Sequence, residues 1–505
     1  MTDLRDDADA AEPVSALRHR GLAGRRDIDA VTLLTIYLVL LFAIPSNLTV
    51  SALGSLGRPS LIWGLILIVF WTISALQRRA YDVRPVRQPI QFVFACFFVL
   101  ALVSFAAALL RGQPGDQVSP AFTALVRLLS WGGVVLVAIA GIRTMNDMGR
   151  MMRRVVIGAG LLAALGIAQF LTGQTLLDFF SFIPGVSNTG GGVLVRGGVT
   201  RSSGTAIHPL EYATTLIGVF PLAIAGAISH GFTWEKARSQ LRWWIPVVLI
   251  SVSALVGVSR SAIVGFVLAA AAMVPAIPRR YRAAVVTAGV VLGAVVIAAL
   301  PGLLSTTLAL FSGAGADPSA QSRVGGLDKA PGFIEASPII GVGWGTFLPR
   351  YYIFDNQWVL IAVELGVLGV LVFGALLFSS VWSAGLAARQ AAHGDLRLVG
   401  YALAVSVVVI GVMFAFFDGL SFPISAGTLF LVIGLCGSAR NIGVADSLWV
   451  TSPGSAVKRV PEATATPRRP ADSPAGRGDR RRSGVTPSRR RATAGRGAGG
   501  AGSAG

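Results

Sequence analysis

Twelve apolar segments, most close to the roughly twenty residues needed to cross a hydrocarbon core, set the terms for this chain of 505 residues. They run 30–46, 60–76, 90–110, 121–142, 154–171, 207–229, 243–258, 261–277, 283–301, 357–379, 398–416 and 422–438. With 53% hydrophobic residues, 13% charged ones and a mean hydropathy of +0.69, so much apolar surface does not fit a soluble core. Helices satisfy their own backbone polar groups and so can stand in lipid. The pattern therefore predicts an all-α integral membrane protein of about 12 transmembrane helices, with a large, partly helical external loop between helices 9 and 10. The first segment follows a polar stretch of nearly thirty residues and reads as an anchor rather than a cleaved leader. Cys96 and Cys436 both fall inside apolar segments, which argues against a disulfide or zinc framework.

The arginines give the orientation. The connections at 77–88, 143–153, 230–242, 278–282 and 384–397 all carry positive charge, and they alternate with connections that carry less. Basic loops stay on the cytoplasmic side. The chain then reads as a multi-pass protein of the cytoplasmic (inner) membrane with both termini inside. Residues 1–29 and 439–505 read as disordered cytoplasmic ends flanking a membrane domain at 30–438. Much of the net charge of +19 lies after Arg440, in arginine pairs and runs set among Pro, Ala, Gly and Ser. No aromatic residues interleave those arginines, so the tail suits anionic lipid rather than nucleic acid.

Two long connections face outward, 172–206 and 302–356. The second mixes Ile, Phe, Trp and Pro with a few charges between Gly325 and Phe347, as a folded lid would. The first ends in Arg201-Ser-Ser-Gly204 and runs into His208-Pro209-Leu-Glu211. Arg260 stands in a bare turn between two apolar spans. It can snorkel to the interface, or it can hold an anion such as phosphate with its planar fork. Arg201 and Arg323 offer the same chemistry, and three arginines on one face would suit a pyrophosphate. Arg127 and Glu364 lie within spans and are expected to pair structurally, with each other or with Glu211. His208, before a proline at a helix start, reads as a cap or packing residue. Gly341-Val-Gly343-Trp344-Gly345 lacks the strand–turn–helix context of a nucleotide loop, and reads as a turn that lets backbone pack on membrane helices.

Four segments in order then resemble the O-antigen ligase and polymerase superfamily: Arg201-Ser-Ser-Gly204 with His208-Pro209; Val258-Ser259-Arg260-Ser261; Pro338-Ile-Ile-Gly341-Val-Gly343-Trp344-Gly345; and Asp355-Asn356-Gln357-Trp358 followed by Glu364-Leu-Gly366 and Gly369. The resemblance implies transfer of a glycan from undecaprenyl pyrophosphate to an acceptor glycan or glycolipid at the outer membrane face, with no cofactor and no metal. It implies that Arg201, Arg260 and Arg323 hold the pyrophosphate. Ligases of the family carry histidine where this chain has Asp355, so an aspartate would act as base or orient the acceptor, which favours a polymerase or another branch. Supporting roles would fall to His208, Glu211, Arg127 and Glu364. The alternative is a lipid-linked oligosaccharide flippase or other polytopic transporter. That reading expects similar halves and charged residues deep in many helices, whereas here the polar residues gather at one face.

Overall fold

The computed structural model describes residues 29–77, 87–188, 194–196, 199–233, 241–257, 259–299, 318–391 and 394–451. The ends expected to be disordered, 1–29 and 439–505, lie outside these residues except for Asp29 and 439–451, as does the first part of the second long loop. The helices are α1 (Ala30–Phe42), α2 (Pro59–Gln77), α3 (Pro89–Leu110), α4 (Gly115–Gly141), α5 (Met145–Thr172), α6 (Pro209–Ile228), α7 (Trp244–Val256), α8 (Arg260–Met273), α9 (Arg279–Ala299), α10 (Pro318–Ile334), α11 (Gln357–Gln390), α12 (Gly394–Met413) and α13 (Pro423–Thr451). Among the described residues eight of these, α2 to α6 and α11 to α13, are long and apolar enough to cross a membrane. Helices α1, α7 and α8 are shorter apolar helices. An outward-facing set that includes Val69, Phe92, Leu161, Val290, Leu371 and Phe378 is exposed, which lipid tolerates and water does not. The protein is an all-α integral membrane protein.

Helix α6 is the axis of the bundle, buried from Pro209 through Ala227. Local signals set the helix starts. Asp29 caps α1 and Thr144 caps α5, where its hydroxyl accepts from the N–H of Asp147 (3.1 Å). Asn356 caps α11, accepting from the N–H groups of Trp358 (3.0 Å) and Val359 (3.3 Å). Several helices outrun their apolar segments. Helix α11 continues to Gln390 and α13 to Thr451, so the predicted loop at 384–397 shrinks to 391–393 and the predicted tail starts as helix. The extra turns contain Arg389 and Asp446, residues that hydropathy excludes but helix propensity accepts.

The two ends of the bundle differ in kind. At one end Arg150 pairs with Asp29 (2.7 Å), and Arg153 donates to the carbonyls of Gly231 and Phe232 (3.1 and 3.0 Å). The other end gathers the connections 43–58, 111–114, 202–208, 335–356 and 414–422, which hold one another in place. There β1 (Leu48–Val50) pairs antiparallel with β2 (Val186–Asn188), and β3 (Leu194–Arg196) with β4 (Val199–Arg201). The first of these pairings ties two separate connections and has no signal in a three-residue apolar stretch.

A chamber at the end of the bundle

Residues 335–356 are folded onto a break in α11. At Gly366 the helix takes φ 67°, ψ −165°, which frees backbone groups on both sides of the break. The loop takes them up. Val342 and Gly343 donate N–H bonds to the carbonyls of Val363 (2.9 Å) and Glu364 (3.1 Å), and the N–H of Val367 returns a bond to Pro338 (2.9 Å). Ser104 of α3 donates to the carbonyls of Ile340 (2.8 Å) and Glu364 (3.0 Å), and Arg111 donates to that of Gly341 (3.0 Å). Backbones this close need glycine: a Cβ on Gly366 would lie 2.3 Å from the Ile339 carbonyl oxygen. The glycine run is thus a backbone clasp between loop and membrane helix.

Beyond the clasp the chain turns over a chamber of about 740 Å³, within the range of ligand pockets. Trp131, Trp344, Phe347, Tyr352, Phe354, Phe417 and Phe422 supply much of its apolar wall. Its ionisable lining residues are Arg127, His208, Asp355, Glu364 and Asp418. Helix α10 closes against the same loop through Phe333, whose ring lies 5.0 Å from Phe347 and 6.0 Å from Phe354. The hydroxyl of Tyr352 donates to the carbonyl of Ser322 (2.8 Å).

Each charged group is positioned by its own element. Asp355 sits just before the α11 cap at φ 48°, a left-handed conformation that aspartate tolerates better than most residues. Burial raises its carboxyl pKa, and the nearby Arg323 guanidinium pulls it back in part. Arg323 in turn donates through Nε to the carbonyl of Phe416 (3.2 Å), joining α10 to the 414–422 connection. That connection carries Asp418, pushed up to about 6 by burial, with Asp355 adding to the rise. It is pinned by Gln357, whose N–H donates to the carbonyl of Phe414 (2.8 Å) and whose Oε1 accepts from the N–H of Leu420 (2.7 Å).

His208 heads α6, and its Nδ1 accepts from the N–H of Leu210 (3.1 Å). Burial, then Arg201, then Arg323, lower its pKa to about 4, so it is neutral near pH 7. With Nδ1 accepting, the proton sits on Nε2, which makes the ring a donor. Arg201 ends β4 and precedes a turn clasped by Gln169, whose side chain both accepts from Gly204 N–H (2.7 Å) and donates to its carbonyl (2.9 Å).

The pairing expected of Arg127 and Glu364, with each other or with Glu211, is not found: no ion pair joins Arg127 to Glu364 or Glu211 among the described residues. Glu364 accepts instead from the N–H of Phe347 (3.3 Å), and Glu211 from those of Ile207 (3.0 Å) and Ile424 (2.6 Å) and from Ser46 Oγ (3.4 Å). Backbone donors satisfy each carboxylate without the guanidinium. Glu211 therefore fastens α6 to α13 and lies outside the chamber lining. Arg260 opens α8, half-buried, and is also outside that lining. Asp418 and Arg58 are the residues that sequence reasoning passed over. Asp418 is the single acid between the last two apolar segments, and that position was a usable signal.

Apolar helices that enclose a chamber at one end of the bundle, lined by Arg127, His208 and three carboxylates, define a polytopic membrane protein with a built site. Residues 245–374 match the family model described as O-antigen ligase, which places this stretch of the chain in the O-antigen ligase/polymerase superfamily. The match runs from α7 to the middle of α11 and takes in Arg260, Arg323, Asp355 and Glu364. A comparison with curated proteins finds no match.

Proposed function

We propose that the protein is a metal-independent membrane glycosyltransferase of the polysaccharide polymerase or ligase type. It transfers a glycan from undecaprenyl pyrophosphate to an acceptor sugar hydroxyl in the chamber, at the outer face of the cytoplasmic membrane. The observation that carries this reading is that Asp355, Asp418 and His208 line one chamber, with Arg323 close enough to act electrostatically on Asp355 and His208. In the reaction, the acceptor oxygen forms a bond to the anomeric carbon as the bond from that carbon to the phosphate oxygen breaks. The electron pair departs on the lipid pyrophosphate. The acceptor proton passes to the Asp355 carboxylate, whose raised pKa brings it nearer the working pH of a base. Arg201, Arg260 and Arg323 bear on the charge of the departing pyrophosphate. His208, as a neutral donor, orients a ligand oxygen rather than removing a proton. Twelve spans with both termini cytoplasmic, the topology expected from the alternating basic connections, would put this chamber outside, where a lipid-linked glycan would be met.

The test is surface polysaccharide in cells carrying Asp355→Asn, Asp355→His or Arg260→Ala at wild-type protein level. The proposal expects short or absent polymer from Asp355→Asn and from Arg260→Ala, and recovery in Asp355→His. Full-length polymer from Asp355→Asn removes the base role, and full-length polymer from Arg260→Ala removes that arginine from the mechanism.

A further inference from the structure

Arg58 and Arg127 form a pair of buried guanidinium groups that the chemistry above does not use. Arg58 directly precedes α2, and Arg127 lies twelve residues into α4, about 18 Å along its axis. Their placement follows from the close approach of α2 and α4. A Cβ on Gly64 would lie 2.0 Å from Ser130 Oγ, one on Gly133 would lie 2.2 Å from the Gly64 carbonyl oxygen, and Ser130 donates to the carbonyl of Leu61 (2.9 Å). Glycines on both helices bring the backbones together, and the two cations come within Coulombic reach of each other.

The buried Nε atoms of both residues have no hydrogen-bond partner, and neither guanidinium takes part in an ion pair among the described residues. The nearest compensation is Glu211, which interacts with Arg58 at longer range while its oxygens serve Ile207, Ile424 and Ser46. Two cations against one occupied carboxylate leave a net positive charge in a low-dielectric setting, where an unpaired charge costs several kcal/mol. The pair lines a cleft of about 20 Å³ with Tyr37, Ser60 and Ser421. At about 10–15 Å³ per water-sized oxygen, that is room for one or two oxygens of an oxyanion whose remainder lies in the adjoining chamber, and not for a sugar. The cleft shares Arg127, Trp131, Leu420 and Ser421 with the chamber.

We infer that Arg58 and Arg127 form a phosphoryl-binding subsite at the floor of the chamber, set apart from the Arg323–Asp355 side, that seats one phosphate of a pyrophosphate ligand. Two guanidinium forks on one cleft suit a tetrahedral oxyanion, each able to give two N–H bonds. In the reaction proposed above, on which this assignment rests, the phosphate seated there is that of the lipid donor. The subsite holds it while the sugar occupies the wider chamber, and it retains the lipid pyrophosphate after transfer.

The test is equilibrium binding of undecaprenyl pyrophosphate to purified full-length protein in detergent, with inorganic pyrophosphate as competitor. Hydrogen bonds to charged groups are worth about 1.5–3 kcal/mol, or roughly ten- to a hundredfold in Kd. Arg58→Gln and Arg127→Gln are each expected to weaken binding by that factor. The double variant should lose less than the product, since both forks grip one group. Arg127→Lys, which keeps the charge without the fork, should lose less than Arg127→Gln and carries the test should the glutamine variant fail to fold. Strong competition by inorganic pyrophosphate assigns recognition to the phosphates alone; weak competition makes the prenyl chain part of it, and the subsite stands in both cases. Wild-type affinity in folded Arg58→Gln and Arg127→Lys overturns the subsite while leaving the enzyme reading intact. Absence of binding in the wild type overturns the lipid-donor reading, and the subsite with it.

Discussion

Replacing Gly341 by alanine puts a methyl group where the chain has no room for one. A Cβ there would lie 2.1 Å from both the carbonyl carbon and oxygen of Glu364 and 2.3 Å from the nitrogen of Leu365, all backbone atoms that cannot rotate aside. The φ of 74° adds about 1–2 kcal/mol of left-handed strain for a residue with a Cβ. Relief requires the loop to lift, at the expense of the bonds from Val342 to Val363 and from Gly343 to Glu364, each worth about 0.5–1.5 kcal/mol. The sum, on the order of 2–5 kcal/mol, falls on the clasp that positions the chamber roof and the N–H of Phe347 on Glu364. Thermal unfolding of the purified protein should shift down by several degrees, and polymer made in cells should shorten. Gly325→Ala is the control: its Cβ would meet only the Tyr352 hydroxyl, at 3.4 Å, so both readouts should stay at wild type. A Gly341→Ala protein with unshifted melting and full-length polymer refutes the clasp. So does a Gly325→Ala protein damaged to the same degree.

Three further outcomes follow from the charged groups. Asp418 has a folded-state pKa of about 6 against 3.8, so it binds more protons folded than unfolded and its ionisation opposes folding. Stability should therefore rise as pH falls from 7 through 6 toward 4, by about 1 kcal/mol between pH 7 and 5 and about 3 kcal/mol once the pH is below the unfolded value, and Asp418→Asn should abolish the dependence on melting curves. Glu211→Ala leaves the buried N–H groups of Ile207 and Ile424 without acceptors, at about 1–3 kcal/mol each; expression and melting should fall together, whereas a wild-type melt would show that α6 and α13 hold without it. His208→Asn keeps a cap for Leu210 and should preserve stability better than His208→Ala on the same melt, and equal losses would show the cap to be immaterial.

Much of the architecture could be read from one-dimensional patterns because lipid imposes them. An apolar run of about twenty residues has few fates, and Arg150 and Arg153, from one of the basic stretches, stand at the end of the bundle away from the chamber. The His208 cap was legible because it is decided by neighbours in sequence, and the glycine run because so many glycines in one stretch mark close backbone packing. The fate of Arg127 was not. Its expected partner Glu364 is satisfied by a backbone group of a loop whose path depends on the Gly366 break, and no spacing rule reaches that far. Arg58 was hidden by its position one residue before a proline-led span, where it resembles any interfacial arginine. The β1–β2 pairing joins strands of three residues, too short for any period to show.

The central claim is that the chamber makes and breaks a glycosidic bond rather than passing a lipid-linked glycan across the membrane. The direct measurement places purified protein in vesicles with undecaprenyl-pyrophosphate-linked oligosaccharide and an acceptor glycan, with no other enzyme present, and follows both glycan size and released undecaprenyl pyrophosphate. The account predicts one released lipid pyrophosphate per new glycosidic bond, with both signals lost in Asp355→Asn. Oligosaccharide that changes leaflet while staying whole and lipid-linked would contradict it.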